Sequence, residues 1–362
     1  MLYLNMDNTS RCSILSIHKD YDNIILDYFK HFISIKRSDI DYLINQSKNN
    51  YDYHHVKIVH NKLYICNKEK YMKWENRFES MKHLLLNVLK NYKLDDCEFV
   101  LYTGDAINLS ELDRCSIDGR ILPLIVSTSV LDSINMLLCP DFTFSFAPCY
   151  RIKNNSEMCN KVVEYQNNYN FEDKINKIVW RGSGNNAYRK TYLRYDEKYD
   201  ILSNLSNESS NYLSYLDKSK YKYQLYLNGH QGNKFDGAYS SSFKWSLMSN
   251  QVVFYSAPSK YREFWNHESI FKEDVHYIYS KNPSELDSKF NHILNNVTIS
   301  KTIANNAFTF FKKYLLDFNN IIYYMYSLLN QYSSRLEFKV ILLGNEELID
   351  RLLPNSDIDS NI

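Results

Sequence analysis

Apolar and polar residues recur along this chain with two periods, and the switches between them mark out helices and strands. Residues 22–35 place apolar side chains three and four apart and predict a helix; Ser38 and Asp39 can cap a second one through Ile44. Residues 55–66 alternate on both sides of Asn61-Lys62, the pattern of a β-hairpin. Residues 74–92 return to the helical period as a long amphipathic helix, and residues 98–102 form a short apolar strand. Residues 121–130 are apolar enough for one buried strand. Residues 154–176 are polar and read as a connection between domains, and residues 196–219 read as variable surface. Strands are predicted at 177–180, 221–227, 251–255 and 275–279, a helix over 303–330, and a last helix over 346–353.

Helices alternating with short apolar strands predict an α/β protein. The strand at 98–102 stops at Thr103-Gly104-Asp105. Ligands of α/β sheets gather beyond the carboxyl ends of strands, so Asp105 is a candidate general base. An aspartate beside a glycine is equally an ordinary turn.

The densest chemistry lies between Val179 and Tyr279. A strand stops at W-R-G-S-G (180–184): the glycines let a backbone approach an anion, and Arg181 offers a forked donor. D-G-A-Y-S-S-S-F-K-W (236–245) repeats the idea, with serine hydroxyls, helix-start N–H groups and Lys244 as a diphosphate cradle. The same residues also fit a helix cap and a surface ion pair. No Gly-x-Gly-x-x-Gly or Walker pattern is present to sharpen the choice.

The order W-R-G-S…R, K-Y-Q-L-Y…G-A-Y-S-S-S-F-K…V-V-F and E-F-W…V-H-Y-I, over roughly residues 53–326, resembles glycosyltransferase family 90. That family holds the Rumi-type protein O-glucosyl/O-xylosyltransferases and their capsule- and lipopolysaccharide-modifying relatives. The resemblance implies a GT-B fold: two Rossmann-like lobes with an interlobe cleft. It divides the chain into an acceptor-side lobe (1–155), a nucleotide-sugar lobe (156–312) and a helix returning to the first lobe with a tail (313–362). It implies a metal-independent, inverting enzyme moving glucose or xylose from a UDP-sugar to a protein or glycan hydroxyl, with Asp105 as base. Arg181, Gly182, Ser183, Arg189, Ser240, Ser242 and Lys244 would bind the donor. Asp141, Phe142, Phe144 and Phe146, in a Pro-Asp-aromatic-x-Phe loop, would wall the sugar cleft. Two departures stand out: Ser242 replaces an arginine of many relatives, and residues 230–236 are an insertion. Those departures keep open a catalytically inactive sugar-binding protein of the same fold. A phosphotransferase, recognisable by a Mg²⁺ requirement, is the third reading.

Composition narrows the field. Net charge is +1 over 362 residues, against a non-specific nucleic-acid binder. The seven cysteines form no Cys-x-x-Cys pair, so free thiols are expected and a zinc site is not. His54, His55 and His60 cluster on the hairpin without a carboxylate at ligand spacing. Asp20-Tyr21-Asp22 is formally an Asp-x-Asp but precedes a helical pattern and reads as a cap. His276 reads as structural, at a strand edge. No signal-peptide pattern, retention tetrapeptide or apolar run of about 20 residues is present, which predicts a cytoplasmic protein with no transmembrane segment. The resemblance implies no cofactor beyond the donor substrate.

Overall fold

The structure, a computed structural model, describes residues 8–47, 52–66, 75–104, 115–130, 136–145, 155–184, 187–203, 211–229 and 240–350. The chain divides into two compact units: Met1–Asn155, Arg262–Phe264 and Phe318–Ile362 in one, Ser156–Tyr261 and Trp265–Asp317 in the other. Each is an α/β unit built on a six-stranded sheet.

The first unit opens with α1 (Asn8–Phe29) and α2 (Arg37–Ser47). Tyr21, Ile24, Ile25 and Tyr28 form the buried stripe of α1. Asp22 lies mid-helix, where it accepts hydrogen bonds from Tyr323 and Ser327 instead of capping a helix start. The hairpin of β1 (Tyr53–Val59) and β2 (Lys62–Ile65) turns at His60-Asn61, one residue earlier than the alternation suggested. Both turn residues have positive φ (50° and 59°), the twist a two-residue hairpin requires. Next come α3 (Glu75–Asn91) and β3 (Cys97–Tyr102). The single strand read over 121–130 is broken. After β4 (Ser116–Ile117) come β5 (Arg120–Ile121), β6 (Ile125–Val126) and β7 (Ser129–Val130). Pro123 has no N–H for a ladder, and its carbonyl is taken by the Tyr332 hydroxyl. Then follow β8 (Leu137–Leu138) and a 3-10 turn, Phe142–Phe144.

The second unit begins with α4 (Asn155–Asn167), a helix where the sequence read a polar connection. Cys159, Val162, Val163 and Gln166 are its buried face. The elements after it are β9 (Ile175–Gly182), α5 (Ala187–Lys190), β10 (Arg194–Tyr195), β11 (Tyr199–Ser203), α6 (Tyr215–Lys218) and β12 (Tyr221–Leu227). Then come α7 (Ser242–Leu247), β13 (Val252–Ser256), β14 (Tyr261–Arg262), β15 (Ile278–Ser280), α8 (Pro283–Leu294) and α9 (Val297–Phe310). Residues read as variable surface thus supply β11, whose Tyr199 and Ile201 enter the core. The last strand starts at Ile278, not 275, because residues 272–277 form a turn closed by His276 N–H on the Lys272 carbonyl.

The strand order is β10-β11-β9-β12-β13-β15, parallel throughout except at β10. Counted along the chain, the parallel strands run 2-1-3-4-5, a doubly wound order. Phe290 of α8 packs edge-on against Tyr199, Tyr223 and Phe254, ring centroids 5.0–5.6 Å apart. At the amino-terminal edge the buried Lys174 donates to the Gln166 side chain and to the carbonyls of Ser219 (2.8 Å) and Ser249 (2.7 Å). It ties together the segments entering β9, β12 and β13, and burial pulls its pKa down to about 7.

Helix α9 passes through a π turn (Phe311–Leu315) into α10 (Phe318–Ser333), where the periodicity suggested one helix. Helix α10 belongs to the first unit and packs on α1, α3 and β3. The helix read over 346–353 is instead β16 (Glu347–Ile349), antiparallel to β2; residues 351–353 lie outside the described residues. Glu346 is the cause. Its carboxylate takes the N–H groups of Leu343 and Gly344, forming a turn with Gly344 at φ +88°. The same carboxylate pairs with Lys57 of β1 at 2.6 Å, both side chains nearly fully buried. The first sheet then runs β16-β2-β1-β3-β6-β8, with β3, β6 and β8 parallel and the rest antiparallel. Among the described residues no helix is long and apolar enough to cross a membrane.

Removing one partner of a buried ion pair strands the other. Lys57→Met is expected to destabilise the chain by about 3–5 kcal/mol, and Lys57→Met/Glu346→Leu by clearly less. Equal losses in denaturant melts would show that the pair does not hold the carboxyl-terminal segment in place.

Candidate functional site

Beyond the carboxyl ends of the second sheet, neighbouring strands part. Pairing of β12 with β9 stops at Gln224↔Val179, while β9 continues beside β11 to Gly182↔Ser203 and β12 beside β13 to Leu227↔Ser256. In the 2-1-3-4-5 order this is the topological switch point, where open α/β sheets form their ligand crevice. Two predicted residues meet there. The buried Arg189, on the short α5, donates from Nε to the Asn228 carbonyl (2.8 Å) and from a terminal nitrogen to the Ser183 carbonyl (3.0 Å). Its guanidinium lies 5.6 Å from the Trp180 ring centroid. Tyr188, beside it, donates to the Ser256 carbonyl. Helix α5 is thereby anchored to the ends of β9, β12 and β13.

The glycines of the W-R-G-S-G turn have a packing reason. A Cβ on Gly182 would sit 2.5 Å from the Trp180 indole, and one on Gly184 3.0 Å from the Ser203 hydroxyl. Arg181 points elsewhere. Its guanidinium donates to Asp200 Oδ1 and the Asp200 carbonyl (each 2.7 Å), Trp180 O (2.9 Å) and Asn211 O (2.6 Å). Asp200 also accepts from the Tyr221 hydroxyl at 2.5 Å. Arg181 therefore fastens β9 to β11 through a pair whose side chains are each 7% exposed.

The serine segment reaches the sheet through Tyr226 of β12, whose hydroxyl accepts from the Ser240 N–H and whose ring stacks on Phe243 (4.8 Å). Ser240 and Ser242 share a hydroxyl hydrogen bond of 3.0 Å. Ser241, not a predicted residue, is the residue before α7, and its side chain makes no cap hydrogen bond. Lys244 is buried, its ammonium 4.8 Å from the Trp245 centroid. Residues 230–239, with the insertion, lie outside the described residues.

In the first unit the parallel strands β3, β6 and β8 end on one edge. Asp105, the predicted base, lies outside the described residues; Thr103 and Gly104, which lead to it, do not. Arg77 of α3 donates to the Thr103 carbonyl (3.2 Å) and lies 4.7 Å from the Phe142 centroid, joining the end of β3 to the 3-10 turn. Asp141 accepts from the Thr143 N–H (3.2 Å) and hydroxyl (2.8 Å), the cap of that turn. Phe142 and Phe144 are buried, and Phe144 packs against Phe264 at 5.3 Å. Phe146 lies outside the described residues.

The hairpin histidines face separate partners. His54 stacks on Phe78 (3.8 Å) and meets the Thr103 hydroxyl at 2.8 Å; burial lowers its pKa to about 3. His55 meets Glu98 at 2.9 Å. Burial alone would raise the Glu98 pKa, but hydrogen bonds from His55 and Arg37 bring it down to about 2. His60 occupies the hairpin turn. His276 accepts the Lys272 N–H at 3.0 Å and stacks on Phe271. Among the described residues no group of three or more His, Cys, Asp or Glu is placed to hold a metal ion.

Sequence reasoning missed Trp180, Tyr188 and Asp200 at the second sheet and Arg77 at the first, and it weighed His54 only as a metal ligand. The tryptophan inside W-R-G-S-G carried a signal: a large ring two residues before a glycine marks a close approach. The pairing of Asp200 with Arg181 becomes visible only once β11 is laid beside β9.

A sequence profile described as glycosyl transferase family 90 matches residues 19–352, nearly the whole chain. No curated protein matches the chain.

Two outcomes follow from this geometry. Arg181→Met leaves Asp200 buried without its cation and is expected to lower stability by about 3–5 kcal/mol in denaturant melts. A loss under 1 kcal/mol, the ceiling typical of exposed pairs, would contradict the burial of the pair. His54 is neutral when folded and protonates near 6.5 when unfolded, so the unfolded chain binds the extra proton between pH 6.5 and 3. Stability therefore falls as pH drops through that window, by about 5 kcal/mol at most. His54→Gln should flatten that slope, and an unchanged slope would place the acid sensitivity elsewhere.

Proposed function

The chain belongs to glycosyl transferase family 90 and is therefore a glycosyltransferase, and from that premise we propose how it works. The donor is a UDP-sugar, glucose or xylose, and the acceptor a hydroxyl of a protein or glycan. The observation that supports the donor site is the gap between the ends of β9 and β12, with Arg189 across it. A diphosphate seated there meets a cation whose position is fixed by two carbonyl hydrogen bonds, and a fixed charge stabilises a leaving group without reorganising. Ser183, Ser240 and Ser242 supply hydroxyls to the same pocket, and Gly182 keeps the turn low over Trp180. Lys244, buried on α7, adds positive potential. Arg181 supports the pocket by holding β9 on β11.

The chemistry is a single inverting displacement without a metal. The Asp105 carboxylate takes the proton of the acceptor hydroxyl, and that oxygen attacks the anomeric carbon on the face opposite the diphosphate. The carbon–oxygen bond to UDP breaks, and UDP leaves with the electron pair. Asp141, Phe142 and Phe144 shape the acceptor side, with Arg77 holding the β3 end against them. This division assigns the donor to the second unit and the acceptor to the first, the GT-B arrangement. Glucose and xylose differ by one hydroxymethyl group, worth about 1–3 kcal/mol in a fitted pocket.

A second reading, a sugar-binding protein without turnover, draws on Ser242 standing where relatives carry arginine and on the commitment of Arg181 to Asp200. Transfer assays with UDP-glucose and UDP-xylose separate the two. Wild type should release UDP and form product of inverted configuration, read by NMR. Asp105→Asn should lose about 10²–10⁴-fold in rate, the usual worth of a general base, while keeping the rise in melting temperature given by UDP. Undiminished transfer by Asp105→Asn removes that residue from the mechanism. UDP binding without turnover by wild type favours the second reading.

A further inference from the structure

A hollow lies in the second unit, away from the switch point. It is a cavity of about 690 Å³, bounded by the end of α4, the segment leading to β9, the residue at 250 before β13, and the first turns of α9. These segments precede their strands, so the hollow sits at the amino-terminal edge of the sheet, opposite the edge that carries Arg189. Its volume falls in the range typical of small-molecule sites, about 300–1,000 Å³.

The lining has one chemical character. Five side-chain amides line it; Gln166 is engaged with Ser219 and Asn170 with Asp173, which leaves Asn167, Asn250 and Asn305. Among the described residues none hydrogen-bonds any of these three amides. An amide carries two donors and two acceptor sites on one plane, the complement of a pair of vicinal hydroxyls, each of which donates and accepts. The aromatic walls are Tyr169, stacked on Tyr165 at 5.1 Å, and the buried Phe171. The only charges named in the lining, Glu172 and Lys301, neutralise each other at 2.5 Å across the rim. A hollow offering amides and ring faces but no net charge suits a neutral polyhydroxylated ligand and gives a phosphate nothing to bind.

The position is also built. The Lys174 ammonium beneath it draws α4 and the ends entering β12 and β13 onto the segment entering β9, which fixes the spacing of the hollow's walls. Asn250 sits in the left-handed region (φ 46°), a conformation that asparagine tolerates better than most residues.

We propose that this hollow is an accessory glycan site that binds a short neutral oligosaccharide, independently of the donor pocket. The inference requires no catalytic activity and survives if the chain proves to be a binder only.

The test uses the full chain with maltotetraose, cellotetraose, xylotetraose and chitotetraose as probes, read by saturation-transfer NMR and calorimetry. At least one is expected to bind, through contacts worth a dissociation constant of about 10 μM to 1 mM. Asn167→Ala/Asn305→Ala, two exposed helical positions, should weaken it about tenfold or more, as should Tyr169→Ala. The UDP-induced rise in melting temperature should be unchanged in both variants. No binding of any probe at about 10 mM, well above that range, overturns the proposal. So does binding that both variants retain, or loss of the UDP response together with the glycan response, which would place the sugar in the donor pocket.

Discussion

The carbonyls of Ser183 and Asn228 face a gap between two parallel strands that have stopped pairing, and the single guanidinium of Arg189 holds both. Parallel strands leave such groups at every carboxyl edge, and a buried carbonyl without a partner is costly. Here the group that satisfies them is a cation, so closing the sheet also places positive charge at the gap between β9 and β12. The Trp180 ring beside the guanidinium and the glycine that lets the ring lie flat complete the arrangement. Stability and the placement of that charge come from the same contacts, and a change there would disturb both.

Two buried carboxylates, Glu98 and Glu346, are instead paired with cations. Glu98 on β3 takes a two-pronged contact from Arg37 (2.7 and 2.8 Å) and a third from His55, closing α2 onto the sheet. Lys57 and Glu346 do the same for the carboxyl-terminal segment. Such pairs add little net stability over apolar packing but are costly to break singly, so they fix which segments lie together. The tyrosines of α10 work alongside them: Tyr324 and Tyr332 bury their rings and spend their hydroxyls on carbonyls at Leu138 and Pro123.

Much of this was legible in the chain. The α3 periodicity, the hairpin and the strands at β9, β12 and β13 follow local patterns that tertiary contacts reinforce, whereas the helix read over 22–35 overlaps only the last turns of α1, which runs Asn8–Phe29. The failures have identifiable causes. Residues 121–130 looked like one strand because apolarity hides the missing donor of Pro123. Residues 346–353 looked helical because the pattern could not show that the Glu346 carboxylate turns back on the N–H groups of Leu343 and Gly344 and reaches across to Lys57. For the site, Arg189 was found as a cation and its two carbonyl partners were not. Arg181 was read as an outward donor because the strand that brings Asp200 beside it looked like surface. Long-range pairing decides such cases, and no local period encodes it.

Donor binding at the β9–β12 gap is tested most directly by hydrogen exchange of the chain with and without UDP. The account predicts slowed exchange in residues 180–190 and 226–229, with segments 166–172 and 297–305 unchanged. Protection confined to those last two segments, or none at saturating UDP, would contradict it.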